Sequence, residues 1–493
     1  MKQRILLMSI FFCCVYFLNA QQNLQLGTGL QSSMVLQQGK PTIFWGTAPE
    51  GTLIKVAADW SKKLVGTKAG ANNKWEVKLD VPKIAANDYT AHTIEVSTNS
   101  ESIKLTDVLI GEVWLCSGQS NMDMELKPFL PWLQGVIDFE KEIAAANYPQ
   151  IRLLDIKSDF KKEPSETCKG EWKICTPDNA KDFSGVAYYF GRELLNRLHV
   201  PVGLITSSIG ATTCQTWTSR ETLAADPVLN KILYSYDTSA VAKEPLDSIV
   251  TFEKLARPTL LYNAMIYPLK NISLKGFLWY QGESNKDDQA IYAKLCGSMI
   301  DNWRTLFNQG DLPFYFVQVA PYTWQLNDST AYNYAIFRDA QKDVLKVKNT
   351  GMAVTMDIAD PADIHPRDKK NVGVRLALNA FAKTYGLKNI QYKGPEYKSF
   401  TVDGNIAKVV FDKSTIGSGL STNDNNAPRH FYVAGNDKQF YYAEAKIVNN
   451  EVWLSCDKVQ HAVAVRYAYT NYPVTNFGNK DGLPCVPFRT DSW

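Results

Sequence analysis

The hydrophobic pattern divides the chain into three stretches. Between residues 26 and 105, short runs of alternating apolar and polar residues stand between Gly, Asn and Pro turns, as in Thr42-Ile-Phe-Trp45 and Trp75-Glu-Val-Lys-Leu79. Period-two alternation over a few residues marks half-buried strands, so residues 21–106 are expected to form a β domain. From about Asp107 the pattern changes. Apolar runs at 108–116, 202–206, 276–280, 313–319 and 352–356 read as buried strands. Helical patterns at 186–198, 289–306, 334–347 and 369–385 alternate with them. Such alternation predicts βαβ units around a parallel sheet, here over residues 107–390. After Gly386, short strands return at 407–411, 440–444, 452–455 and 462–467, which predicts a second β region over 391–493. The expected fold class is α/β, a doubly wound parallel sheet with accessory β domains.

The first twenty residues stand apart. Lys2 and Arg4 precede an apolar run from Ile5 to Leu18, and Ala20 precedes Gln21. This is the layout of a cleavable signal peptide over residues 1–20, and the run is short for a membrane span. The expected location is secreted or periplasmic, lysosomal or extracellular in a eukaryote, with no membrane span in the mature chain. At 493 residues, 45% hydrophobic and 21% charged, the remainder is an ordinary globular chain able to bury a large core. Lys+Arg 53 against Asp+Glu 50 gives +3, so no basic surface calls for nucleic acid. Seven cysteines lie beyond the leader without metal-ligand spacing. Cys168 and Cys175 flank a polar turn and could form a local disulfide in an oxidising compartment.

In open α/β sheets, ligands bind beyond the carboxyl ends of the strands. The first strand run is followed by Ser117-Gly118-Gln119-Ser120-Asn121-Met122. A Gly that lets the strand turn sharply, then a Ser where a helix can begin, is the layout of a nucleophile whose own N–H helps bind an oxyanion. Ser117 is a competitor at the strand end. The second run leads to Ser207-Ser208-Ile209-Gly210-Ala211-Thr212, where Gly210 would let a backbone N–H approach a developing negative charge. The third leads to Gln281-Gly282-Glu283-Ser284-Asn285. The Gln281 amide can donate to an oxyanion, and Glu283 could orient the loop or bind a substrate hydroxyl. After the fifth comes Asp357-Ile-Ala-Asp360-Pro-Ala-Asp363-Ile-His365-Pro366. Of the five histidines, His365 alone lies in a loop at this end of the sheet with acids close by, which makes it the candidate general base. Asp363, two residues earlier, could hold the imidazole tautomer. Together these residue types describe acyl transfer: a Ser attacks, a His takes the proton, and amides receive the oxyanion.

The text of these motifs resembles the sialate O-acetylesterase family, within the SGNH-type hydrolases. The matches are Gly111-Glu-Val-Trp-Leu-Cys-Ser-Gly-Gln-Ser-Asn-Met122, Val202-Gly-Leu-Ile-Thr-Ser-Ser-Ile-Gly210, Leu261-Tyr-Asn-Ala-Met-Ile266, Gly276-Phe-Leu-Trp-Tyr-Gln-Gly-Glu-Ser-Asn285, Asp363-Ile-His-Pro366 and Pro487-Phe-Arg-Thr-Asp491. The resemblance implies an SGNH-like fold and hydrolysis of acetyl esters on sugars, with Ser120 as nucleophile and His365 as base. It implies oxyanion donors at Ser120, Gly210 and Gln281, and substrate contacts at Gln119, Asn121, Asn263 and Glu283. The substrate would be O-acetylated sialic acid, foremost the 9-O-acetyl ester, or another acetylated glycan such as xylan. No metal and no cofactor is implied. Two positions depart from the pattern. Wider SGNH enzymes place the acid three residues before the His, where this chain has Ala362, so the acid is Asp363 or Asp360, or the pair works without one. The second loop carries Ala211 where the family tends to have Gly, with little consequence expected if Ala211 takes an ordinary backbone conformation. A reading of a different class is a non-catalytic glycan-binding protein, against which the paired Ser120 and His365 argue.

Overall fold

The computed structural model describes residues 23–246, 249–324, 331–360 and 362–493. The expected leader at 1–20 lies outside them. Among the described residues no helix is long and apolar enough to cross a membrane.

The central element is strand β1 (Ser102–Gly118), 17 residues long. Its first half pairs antiparallel with His92–Ser97 of the N-terminal sheet. Its second half, buried without a break from Leu109 to Gly118, forms the middle of the main sheet. Six strands join it: β2 (Tyr148–Asp155), β3 (Trp172–Cys175), β4 (Val202–Ser208), β5 (Gly276–Tyr280), β6 (Phe314–Val317) and β7 (Thr350–Ala353). Their order across the sheet is β3-β2-β4-β1-β5-β6-β7, parallel except for β3. After β1 the chain builds first one side of the sheet and then the other. The carboxyl end of β1 is therefore the switch point where doubly wound sheets bind ligands.

Helix α1 (Ser120–Asp123) follows β1 directly. The four longest helices among the described residues come after it: α2 (Gly185–Leu198), α3 (Gln289–Phe307), α4 (Asn333–Asp343) and α5 (Lys369–Asn379). The ends of α2 are set locally. Ser184 caps its start, accepting from the Ala187 N–H, and His199 closes it in the left-handed conformation at φ 55°. Helices α2 and α5 cover one face of the sheet through Val186, Phe190, Val372 and Leu376. The other face packs Phe277, Trp279 and Trp303 in one continuous core with Ile54, Val56 and Val96 of the N-terminal strands.

Three elements differ from the sequence reading. Strand β2 was not expected: its apolar residues Ile151, Leu153 and Leu154 are interrupted by Arg152. That Arg is buried and neutralised by a bidentate bond to Asp107 at 2.6 and 2.9 Å. The strand expected at 352–356 ends instead at Ala353, and Val354 and Met356 leave the sheet to join the core of the C-terminal β region. Cys168 and Cys175 are not bonded to each other. All seven described cysteines are free, with Cys168 held against Thr28 and Cys175 packed against the Ala146 carbonyl.

Candidate active site

The Ser turn is built by one glycine. Gly118 has φ 144°, and a Cβ there would stand 2.1 Å from the Tyr280 carbonyl oxygen of β5. Only Gly lets β1 and β5 stay paired to their last residues while the chain turns away. Gln119, the N-cap of α1, donates its N–H to that same carbonyl at 3.0 Å. Ser120 then opens the helix, while the competing Ser117 is wholly buried with its hydroxyl unpartnered.

His365 comes to this turn from 245 positions away. Its Nε2 lies 2.8 Å from Ser120 Oγ. On the other side of the ring, Nδ1 stands 3.4 Å from Asp363 Oδ1, which also accepts the His365 backbone N–H at 2.9 Å. Asp360 is spent elsewhere, accepting the Ala362 N–H at 2.9 Å. Of the two acids, Asp363 is the one beside the ring. Burial, helped by the nearby Lys369 ammonium, lowers the His365 pKa to about 4, against the opposing pull of Asp363. The imidazole is therefore neutral at neutral pH, and a proton on Nδ1 facing Asp363 leaves Nε2 as an acceptor for the Ser120 hydroxyl.

A buried polar network fixes this pair. Asn121 Nδ2 donates to Glu283 Oε1 at 2.6 Å and to the Ile364 carbonyl at 3.0 Å, so the residue after Ser120 holds the residue before His365. Asn121 Oδ1 accepts from the Lys369 ammonium at the start of α5. Burial pushes the Glu283 carboxyl up and brings Lys369 down to about 7. Lys369 is the participant that sequence reasoning missed. It reads as one of several charged residues opening a helix, and nothing local marks it as the buried one.

The expected substrate contacts are mostly engaged by the protein. Asn121 and Glu283 face each other in the interior, and Asn263 donates to the Lys161 and Lys162 carbonyls at 3.2 and 2.8 Å. Gln119 Oε1 accepts from the Gly282 and Ser284 N–H groups, and its amide nitrogen has no protein partner among the described residues. Gln281 is fully buried. Its amide donates to the Thr212 carbonyl at 3.0 Å and to Asn285 Oδ1 at 2.7 Å, so both hydrogens expected for an oxyanion are in use. Gly210 does adjoin the serine: a Cβ on it would lie 3.4 Å from Ser120 Cβ. Neither Ser120 nor Gly210 donates its N–H to a backbone carbonyl among the described residues. Ala211 has φ 60°, the left-handed conformation that favours Gly, so the condition under which little consequence was expected is not met.

A serine hydroxyl on a neutral imidazole, with two unengaged backbone N–H groups alongside, has the parts for nucleophilic acyl transfer. Comparison with known proteins agrees in kind. The family model described as carbohydrate esterase, sialic acid-specific acetylesterase, matches residues 110–382. The chain belongs to this family. It is 30% identical to mouse sialate O-acetylesterase, with 93% of each chain covered, and 32% identical to the rat sialate O-acetylesterase over 74% of each. The crystal structure of a carbohydrate acetylesterase from Xanthomonas citri superposes with a TM-score of 0.82 at 33% identity, covering 95% of this chain and all of that one. As a member of this carbohydrate esterase family, the protein is a carboxylic ester hydrolase with an SGNH-like α/β fold and additional β sheets.

Proposed function

We propose that this esterase removes O-acetyl groups from glycans by a serine mechanism, with Ser120 as nucleophile, His365 as general base and Asp363 as the acid that orients the imidazole. The observation that carries the reading is the 2.8 Å contact between Ser120 Oγ and His365 Nε2. Ser120 Oγ attacks the acetyl carbonyl carbon while His365 Nε2 takes its proton. The carbonyl oxygen, now negative, receives the N–H groups of Ser120 and Gly210. As the tetrahedral intermediate collapses, the sugar oxygen leaves and takes the proton from His365, and acetate stays esterified to Ser120. Water, deprotonated by the same imidazole, then releases it. Gln281 serves as a brace for the loop after β4 in place of the donor role the sequence suggested.

The leading substrate is 9-O-acetyl sialic acid, supported by the names of the mouse and rat relatives, with acetylated xylan or another acetylated glycan as the second. Acetate release from a panel of both decides between them. On p-nitrophenyl acetate, Ser120→Ala is expected to lose nearly all turnover, and His365→Ala about two to four orders of magnitude. Wild-type rates in either variant would overturn the assignment. We infer further that the protein is exported, on the strength of Lys2, Arg4 and the apolar run before Ala20. The mature N-terminus is expected at Gln21, and Edman or mass-spectrometric sequencing of protein recovered from outside the cytoplasm checks it.

A further inference from the structure

Beside the catalytic pair the chain makes a tight loop, residues 126–136, that the proposed reaction does not use. The Val136 N–H closes its base on the Leu126 carbonyl at 3.1 Å, and Phe129 and Leu133 exchange N–H···O bonds of 2.8 and 3.0 Å near its tip. The loop is fixed on both sides of the site. It begins three residues after α1, the helix that Ser120 opens. It ends against the His365 segment, where Arg367 donates to the Gly135 and Val136 carbonyls at 3.1 and 3.0 Å and accepts the Ile137 N–H at 3.2 Å.

Its tip is apolar and bare. Phe129, Leu130 and Trp132 are 60%, 65% and 68% exposed, an outlay of apolar surface that needs a reason on a rigid loop. Phe129 and Leu133 of this loop line a cavity of about 310 Å³ together with Asp123, Asp155, Asp182 and Ser208. Two of its polar lining residues are joined to the reacting centre. Ser208 donates to Asp123 at 2.9 Å, Asp123 lies in the same short helix as Ser120, and Ser208 precedes Gly210 by two residues. The Phe129 ring beside carboxyl and hydroxyl acceptors matches a pyranose ring, which presents C–H groups on its face and hydroxyl donors at its edge. Of the carboxyl groups at this rim, Asp155 is paired with Lys157, and Asp182 and Glu125 share Lys127, while burial pushes Asp123 up to about 7 and raises Glu125. That near-balance suits a neutral ring, which brings hydroxyl donors and no charge of its own.

We propose that this loop and cavity form a subsite for a neutral pyranose linked to the acetylated sugar, so that the enzyme works on acetyl groups carried within an oligosaccharide in preference to free acetylated monosaccharides. The proposal rests on the glycan esterase reading. It fits either leading substrate, since the neighbour of a terminal acetylated sialic acid or of an acetylated xylose can be a neutral ring. Two measurements on the full chain test it. First, kcat/KM is compared for an acetylated xylo-oligosaccharide, acetylated sialyl-lactose, the corresponding acetylated monosaccharides and p-nitrophenyl acetate. The wild type should favour at least one oligosaccharide over its monosaccharide about tenfold or more. Trp132→Ala should erase that preference, with the loss in KM and not in kcat. An undiminished preference in Trp132→Ala and Phe129→Ala, or an equal loss on all substrates, would overturn the subsite. Second, calorimetric titration with non-acetylated xylotetraose and sialyl-lactose reads the subsite without turnover. Binding of at least one, weakened about tenfold in Trp132→Ala, supports it, and no binding of either overturns it. Binding without any acetate release would leave the subsite standing and overturn the esterase reading of this chain. Self-association in analytical ultracentrifugation, abolished by Trp132→Ala without either glycan effect, would assign the apolar tip to a second copy of the chain and also overturn the proposal.

Discussion

At the residue scale, the state of His365 decides, in the proposed mechanism, whether Ser120 is activated. A general base works in its neutral form, so activity is present above the imidazole pKa and lost as pH falls through it. Burial and Lys369 set that pKa near 4, so kcat/KM on p-nitrophenyl acetate is expected to hold down to mildly acidic pH and fall on a limb near pH 4. The Lys369 charge disfavours the imidazolium, so its removal raises the pKa. Lys369→Met should move the acid limb to higher pH. Asp363 acts with the opposite sign, and Asp363→Asn should move the limb lower while reducing the maximum rate. An unmoved limb in Lys369→Met would remove Lys369 from the electrostatics of the base. The partial exposure of Asp363 and its 3.4 Å separation from the ring predict a smaller loss for Asp363→Asn than for His365→Ala. That His365 was the only histidine worth weighing could be read from its place in a loop after a sheet strand. That a lysine four residues on lies buried against Asn121 could not, because burial of a charge is settled by partners distant in sequence.

At the scale of elements, the backbone of the site loops is set where the strands end. Gly118 is placed by β5, whose Tyr280 carbonyl leaves no room for a Cβ. Ala211, in the loop after β4, carries a Cβ at φ 60°, a conformation that costs an ordinary residue about 1 kcal/mol. Ala211→Gly is therefore expected to stabilise the protein by up to about 1 kcal/mol, less what the freer glycine costs through the unfolded chain. Thermal or denaturant unfolding measures it, and a destabilisation would show that the Ala211 methyl packs usefully. The loop itself could be located from the apolar run that precedes it. Its backbone twist could not, because nothing in Gly210-Ala211-Thr212 requires the second residue to be left-handed. The sheet strands were legible for a physical reason: strands buried on both faces, such as Gly276–Tyr280, are continuous apolar runs. β2 hid because its buried Arg152 is neutralised by Asp107, 45 positions away.

At the scale of the whole molecule, the elements of the N-terminal, central and C-terminal stretches do not meet at simple boundaries. β1 runs unbroken from the N-terminal sheet into the central one, so a change of pattern at residue 107 falls inside a single strand. On the other side, the segment that carries His365 is anchored in the C-terminal β region. Val354 and Met356 contribute to its core with Val409, Phe431 and Tyr467, and the Met356 carbonyl accepts the Thr475 N–H at 3.0 Å. The next residue, Asp357, is clamped to Arg375 of α5 by bonds of 2.8 and 2.7 Å, and Arg375 donates also to the Val354 carbonyl at 2.7 Å. The long loop to His365 is thus fixed at its root by an ion pair between the C-terminal core and a helix of the α/β unit. Breaking a buried pair by removing one partner costs about 3–5 kcal/mol, because the other charge is left uncompensated. Arg375→Met should lower the unfolding free energy by about that much, and should also reduce kcat, because the root of the base-bearing loop is released. If the clamp acts through the loop, Arg375→Met combined with His365→Ala should be no slower than His365→Ala alone, since nothing is left at the loop's tip to misplace. Additive losses in that double variant would mean that Arg375 supports the fold without positioning the base.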